Sequence, residues 1–250
     1  MKNSRSTKNL MYNLWFRHIA IACFWLVVWQ LLFLLYDKDF ILPSPFQTAK
    51  TLGLLLGQGT FYQASGITLL RVVIGLLLSF GSGVLLALLS YQNSFIRTVL
   101  SGMVTALKAM PVMSVILFAI LCIVSGMVPV FVCFLMCFPV IYTNLLQGLD
   151  STPLEYLELA AVYKFSTKTR IEYVLLPWAR PFLKAGLAIC AGLSWKTVVA
   201  AEVLASPKIS MGYHLLLSKT YFEADELFAW TIAIVTLSLL FENCLKRALK

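Results

Sequence analysis

The chain has 250 residues, 60% of them hydrophobic and 12% charged, with a mean hydropathy of +0.85. A soluble domain is about a quarter charged, and the apolar residues here come in runs of about membrane length, so composition excludes an ordinary soluble domain and specifies a polytopic membrane protein. The formal net charge of +9 would suit nucleic acid in a soluble chain; in a membrane chain it is first weighed against the excess of Lys and Arg in cytoplasmic loops.

Residues 1–17 are basic. The uncharged run 19–36 follows, with Trp25 and Trp29 inside it and Tyr36 at its end. It lacks a small-residue cleavage site and reads as an anchor and first span. Asp37-Lys38-Asp39 stops it. Leu42-Pro43-Ser44-Pro45 is an extended, helix-breaking stretch. Residues 46–56 have helical spacing but are too few to cross, and Gly57 and Gly59 end them. The second span covers 64–90. Along it Gly75, Ser79, Gly83 and Ala87 recur every four residues, the spacing that lets helix backbones approach closely in lipid. The third span, 98–123, contains Lys108 and Pro111. The fourth, 128–148, contains Pro139. A polar loop fills 149–181. A fifth span, 182–205, a polar connection with one short helical stretch and a sixth span, 227–245, complete the chain. The expected fold is therefore all-α, a single transmembrane domain over 18–250 behind the basic N-terminus.

Six spans put both termini on one side. With the N-terminus inside, thirteen of the 20 Lys and Arg residues fall on that side, against Lys38, Lys50, Lys208 and Lys219 outside. That asymmetry places both termini and the polar loop in the cytoplasm. The positive charge is then mostly topology, and nucleic-acid binding is not expected. The six cysteines lie in or at the ends of apolar runs without zinc-finger or CxxC spacing, which favours packing over metal or redox chemistry. His18 and His214 stand alone, and no metal site is expected.

The polar loop separates uncharged residues 109–149 from the apolar block that begins at Ala185. Thr152-Pro153-Leu154-Glu155 has the form of a capping box with proline at the first helical position. A helix is expected from Pro153 to about Tyr163, with Leu154, Leu157, Ala161 and Ala160 along one face. Ser166 is placed to cap a second short helix, and Pro177 disfavours helix at the residue before it. Such a loop either packs on its own bundle or meets a soluble partner.

Here the sequence resembles a known family. Glu158-x-Ala160 with Leu176-Pro177 downstream looks like the EAA signature of permease subunits of bacterial ABC importers. The sulfonate/nitrate/taurine-type branch is the nearest likeness. It is matched by Leu42-Pro43-Ser44-Pro45, Leu69-x-Arg71-Val72-x-x-Gly75, Pro111 after a basic residue, Asn144-x-x-x-Gly148, Trp195 with Ala201-Glu202 after it, Gly212-Tyr213 and Asp225-x-x-Phe228-Ala229. The likeness runs from about residue 40 to the C-terminus. Two positions depart from it: Leu159 replaces the second EAA residue, and Lys164 replaces a glycine whose tolerance of positive φ lets the chain turn between the two short helices. The resemblance implies a type I ABC importer permease fold in the bacterial plasma (inner) membrane. It implies a coupling helix, carried by Glu155, Glu158, Leu159, Ala160, Ala161, Tyr163 and Lys164, that inserts into a cytoplasmic ABC ATPase. Two copies of that ATPase, an extracytoplasmic solute-binding protein and a second permease copy are the implied partners, besides membrane lipid. No cofactor is expected in this chain; ATP and Mg belong to the partner ATPase. The chain lacks GxxxxGK[ST], and Gly192 before Trp195-Lys196-Thr197 does not supply one.

Ionisable residues at membrane depth are the second constellation. A charge at a helix centre costs about 2.5–3.5 kcal/mol on the insertion scale, and such residues face a bundle interior or a water-filled path. Arg71 suits snorkelling or a structural ion pair. Glu202 matches the family near the outer gate. Lys196 has two readings: a cation in the substrate path, or the partner of an acid such as Glu202 of a facing subunit. Lys108, Met110, Met113, Ser194, Trp195, Lys196 and Glu202 are the candidate path residues, though packing suits the methionines. Two lysines at depth suit a small anionic solute of the sulfonate or nitrate kind; relatives also import vitamin precursors. No nucleophile–base pair or paired carboxylates emerge, so catalysis in this chain is not expected. The alternative function is a self-contained secondary transporter or channel using the intramembrane Lys and Glu residues; the inverted repeats frequent in that class are not found.

Overall fold

A computed structural model describes residues 4–36 and 41–249, and among them every regular element is helical. Helix α1 (Ser4–Tyr36) contains the apolar stretch Ala20–Leu35. It meets the rest of the chain where Trp29 Nε1 donates to the Pro43 carbonyl at 3.0 Å and the Trp29 ring lies against Phe228. The expected stop at Asp37-Lys38-Asp39 lies outside the described residues. Helix α2 (Pro45–Leu56) starts on a capping box: Ser44 Oγ accepts from Gln47 N while Gln47 Oε1 accepts from Ser44 N. At 12 residues it is too short to cross, as its spacing predicts.

Helix α3 (Gly59–Gln92) has 34 residues and starts five residues earlier than expected. Helices α4 (Ser94–Ala109) and α5 (Val112–Cys122) replace the expected continuous third span; they are bent by 103° at Met110-Pro111. The physical reason is local. Pro111 has no N–H and forces Met110 out of the helical region, to φ −70° and ψ 129°. Met110 N still closes α4 on the Ala106 carbonyl at 3.1 Å. Helix α6 (Val128–Asp150) carries Pro139 without breaking. Two short helices follow, α7 (Leu154–Val162) and α8 (Thr167–Arg170). A π-helical turn, Ile171–Leu175, joins α8 to α9 (Leu176–Ala205). Helix α10 (Met211–Thr220) is short, and α11 (Ala224–Ala248) closes the described chain. Among the described residues four helices are long and apolar enough to cross a membrane, five if α4 and α5 form one broken span.

The chain does not stop before Pro177 as expected. The helix continues from Thr167 to Ala205, 39 residues, through the π turn. The wider turn absorbs the proline, whose ring would clash with the carbonyl four residues back in a regular α-helix.

Helices α3, α6 and α9 form the core. All four residues of the small-residue stripe on α3 are buried. A Cβ on Gly75 would sit 2.7 Å from Cys133, and one on Gly83 would sit 2.8 Å from Ile141 Cγ2. The same device joins α6 to α9, where Gly148 faces Ala179 and Phe182 and Gly186 faces Asn144. Cys133, Cys137 and Cys190 are fully buried in this seam, with Cys190 Sγ 3.6 Å from the Cys137 carbonyl. Buried thiols act there as small apolar groups with weak donors. At one end of the core Arg97 grips Asp150 with two hydrogen bonds, at 3.0 and 2.6 Å, tying α4 to α6.

Because backbone approach sets this core, Gly83→Leu is expected to destabilise the purified protein by about 1–3 kcal/mol through overpacking. Gly81→Leu, where a Cβ meets nothing within 4 Å, should leave the thermal unfolding midpoint in detergent unchanged.

Candidate functional site: the α7–α8 loop and the intramembrane charges

Helix α7 begins at Leu154, and Pro153 occupies its N-cap without a side-chain hydrogen bond. The expected capping box does not form. Thr152 is buried, and its Oγ1 has no partner among the described residues. Leu157 and Ala160 make the inner face: Ala160 is buried, and Leu157 packs towards the cluster of Phe138, Tyr142, Leu145 and Leu149. Tyr156 lies against Trp178, with ring centroids 5.6 Å apart. Leu154 and Ala161, expected to share a face with these two, are exposed instead. A nine-residue helix rests on the bundle through one i, i+3 pair, and its ends overhang.

The outward surface therefore joins acids to apolar groups. Glu155, Glu158 and Ala161 are exposed, as are Leu159, Val162 and Tyr163, the last two by more than two thirds. Of the seven loop residues singled out in the sequence, six face solvent, and only Ala160 faces the bundle.

The end of α7 answers the question raised by Lys164. Lys164 adopts φ 52°, in the left-handed region where glycine is favoured. Its N–H donates to the Ala161 carbonyl at 3.0 Å, and Phe165 N donates to the Ala160 carbonyl at 2.9 Å. Those two bonds are the Schellman pattern that satisfies the last carbonyls of a helix. Ser166 Oγ then accepts from Thr169 N at 3.1 Å and caps α8, as the sequence predicts. The turn keeps its geometry with lysine in the glycine position.

The intramembrane charges divide into two groups. Glu202 on α9 is fully buried. Its carboxylate accepts from Arg71 Nη1 at 2.7 Å, from Thr68 Oγ1 at 3.0 Å and from Gly212 N at 3.2 Å. Arg71 thus takes the structural ion pair rather than snorkelling, and Glu202 is held inside its own chain. Thr68 was not singled out in the sequence; its only signal there is its place one helical turn before Arg71. Ser194 and Trp195 are also buried between helices, and Ser194 Oγ donates to the Ala191 carbonyl at 3.0 Å.

The other group is open. Lys108, in the last turn of α4, donates to Thr143 Oγ1 on α6 at 3.1 Å and is exposed, as are Met110 and Met113 on either side of the break. Lys196 is exposed on α9 and has no ion pair among the described residues. It lines a cavity of about 530 Å³ between α9 and α11, together with Gly192, Val199, Ile234 and Glu242.

Lys164→Gly should relieve the left-handed backbone cost of about 1 kcal/mol and leave the turn intact. Amide hydrogen exchange at Phe165, whose N–H closes the turn on Ala160, is expected to slow about fivefold in the variant.

Comparison with known proteins is consistent with this arrangement. The model of the family described as binding-protein-dependent transport system inner membrane component matches residues 79–243. A putative ABC transporter permease protein of Methanocaldococcus jannaschii is 24% identical over 91% of this chain and 87% of its own length. A nitrate import permease protein of Synechocystis is 30% identical over 74% of this chain and 70% of its own. A putative aliphatic sulfonates transport permease protein of Bacillus subtilis is 23% identical over 87% and 79%. Among solved structures, an amino acid ABC transporter superposes with a TM-score of 0.61 at 14% identity, covering 79% of this chain and 97% of that one. The MetNI methionine ABC transporter in an inward-facing form gives 0.59 at 18% identity, covering 78% and 95%. The folds agree with a type I importer permease, and the chain belongs to the family of binding-protein-dependent transport inner-membrane components, the ABC transporter permeases.

Proposed function

We propose that this chain is the membrane-spanning subunit of an ATP-driven importer and that α7 is its coupling helix. The observation that carries this reading is the outward face of α7. Among the described residues Glu155 and Glu158 form no ion pair, and Leu154, Leu159 and Val162 are exposed, while Leu157, Ala160 and the turn at Lys164 seat the helix firmly on the bundle. A separate cytoplasmic ABC ATPase binds that face, and ATP with Mg belongs to that subunit. Two permease copies, two ATPases and an extracytoplasmic solute-binding protein make the working assembly. Both termini and α7 lie in the cytoplasm, in keeping with the thirteen inward Lys and Arg residues. Helix α9 runs without a terminus from the end of the α7–α8 loop to the Glu202 cluster, so a push on the loop is transmitted along one rigid element to the opposite face.

The solute passes between the two copies by alternating access. Lys108 and Lys196 are the exposed candidates for its path, and two cations at depth suit a small anion. The nitrate and sulfonate relatives are in keeping with that class.

Glu158→Lys is expected to reduce ATPase binding or to uncouple ATP hydrolysis from uptake, measured in vesicles holding permease, ATPase and binding protein. Uptake of undiminished rate by the permease without any ATPase would overturn this reading in favour of a secondary transporter. Lys196→Leu is expected to lower uptake several-fold while the assembly elutes unchanged on size exclusion; unaltered uptake would leave Lys196 a packing residue.

A further inference from the structure

Helix α4 has one buried residue, Val104. It packs in the cluster of Phe138, Tyr142, Leu145 and Leu149, which also receives Leu157 of α7. Polar contacts to α6 hold the two ends of α4. In the last turn Lys108 Nζ donates to Thr143 Oγ1 at 3.1 Å. In the first turn Arg97 Nη1 donates to Asp150 Oδ1 at 3.0 Å and Nη2 to Oδ2 at 2.6 Å. Asp150 is the last residue of α6, and only residues 151–153 separate it from α7. From Arg97 the helix runs to the 103° break at Met110-Pro111. One ion pair therefore joins the base of the α7 loop to the helix that leads to the break.

The form of this contact says what it can do. The Arg97 and Asp150 side chains are 46% and 36% exposed, so water screens their attraction and the pair adds little to stability. Its geometry is nonetheless specific. Two parallel N–H···O bonds between a planar guanidinium and a carboxylate fix direction as well as distance. The pair resists sliding of α4 against the end of α6 without anchoring the fold. The single bond from Lys108 to a hydroxyl sets no such direction at the other end.

We propose that the Arg97–Asp150 pair is a tether that carries movement of the α7 loop to α4, and through α4 to the break at Met110-Pro111. The proposal rests on the coupling role given to α7. It adds to the route along α9 a second one, towards the exposed Lys108, Met110 and Met113. When the loop is displaced, Asp150 moves with the end of α6 and Arg97 follows. Helix α4 then tilts about Val104, its one buried anchor, and its far end shifts past Thr143. Arg97 and Asp150 are positioning residues, which act on the path through α4.

The test uses vesicles holding the full-length permease, its ATPase and its solute-binding protein. Arg97→Ala is expected to lower solute uptake at least fivefold while ATP hydrolysis stays near its wild-type rate, so that solute moved per ATP falls by the same factor. Asp150→Asn, which removes the charge and keeps the shape, should do the same and serves should Arg97→Ala fold poorly. The reversed pair, Arg97→Asp with Asp150→Arg, should restore at least half of the wild-type ratio, which a purely structural loss would not. Co-elution with the ATPase and the unfolding midpoint should be unchanged in all three.

A second readout follows the helix itself. Ala109 is exposed at the end of α4. Labelling of Ala109→Cys by a water-soluble maleimide, located by peptide mass spectrometry, should change at least threefold when ATP and vanadate trap the ATPase. Arg97→Ala should abolish that change. Unaltered transport per ATP, no rescue by the reversed pair, or the same change in labelling without Arg97 would each overturn the proposal. So would lost ATPase binding in Arg97→Ala, which would make the pair part of the docking surface. Failure of the coupling role of α7 has a different mark: Glu158→Lys would then leave ATPase binding and solute moved per ATP intact in the same vesicles.

Discussion

One buried carboxylate holds the far end of this bundle together. Glu202 has no contact with solvent, and a lone ion there would be prohibitive. It is met from three directions: by a cation on α3, by a hydroxyl on α3 and by the backbone N–H of Gly212 on α10. Thr68 works both ways, donating to the carboxylate and accepting from Met211 N at 3.1 Å. Ser206, at φ 49°, reverses the chain after α9 and lets α10 come back to Glu202. Gly212 has to lack a side chain, because a Cβ would lie 2.4 Å from Glu202 Cβ. Removing one member of such a buried pair costs about 3–5 kcal/mol, since the other is left charged and unmet. The positions of α3, α9 and α10 are thus linked, and none can shift alone.

The rest of the bundle shows what that clamp leaves free. Helices α3, α6 and α9 touch through glycines and buried cysteines, with backbones in near contact. Helices α4, α5 and α11 are held more lightly, and α5 turns Leu117, Phe118 and Leu121 outward. In lipid an apolar outer face incurs no penalty, so light packing is compatible with stability. The 103° break at Pro111 then falls in one of the loosely held helices. There the broken backbone brings Lys108 and two methionines to a shared exposed region.

Much of the fold was legible because membrane length and small-residue spacing are strong signals. The stripe from Gly75 to Ala87 marks a contact face in the sequence and is buried in the structure, because small residues every four positions let helix backbones approach in lipid. Ser166 as a cap and Arg71 as a structural ion pair were also legible from residue type and place. The failures share a cause. Pro111 and Pro177 look alike in sequence, yet one breaks a helix sharply and the other is absorbed by a π turn. The difference lies in what packs around each, which the local sequence does not carry. Thr152 failed as a cap because burial against the bundle took precedence over a local hydrogen bond. The candidate path residues split for a similar reason. Ser194, Trp195 and Lys196 are consecutive, but a helix rotates each by 100°, so two face neighbouring helices and one faces out.

Lys164 shows how a family signature is to be read physically. A glycine at such a position matters for the backbone angle it permits. Here lysine takes that angle, and the two Schellman bonds to Ala160 and Ala161 persist. The same holds across the described chain: its positive-φ residues are Lys164, Ser206 and Phe222, and no glycine is among them. Each ends a helix, and Phe222 is followed by the same pattern, with Glu223 N donating to the Ser218 carbonyl at 2.9 Å. The glycines serve elsewhere, at Gly75, Gly83, Gly148, Gly186 and Gly212, where backbones meet. A left-handed residue at a helix end costs about 1–2 kcal/mol and recovers part of that through its hydrogen bonds. A side chain forced between two core helices has no such compensation. Where both demands compete for glycine, close approach is the one that another residue cannot satisfy, and five of the 13 glycines stand at such contacts while none stands at a positive-φ position.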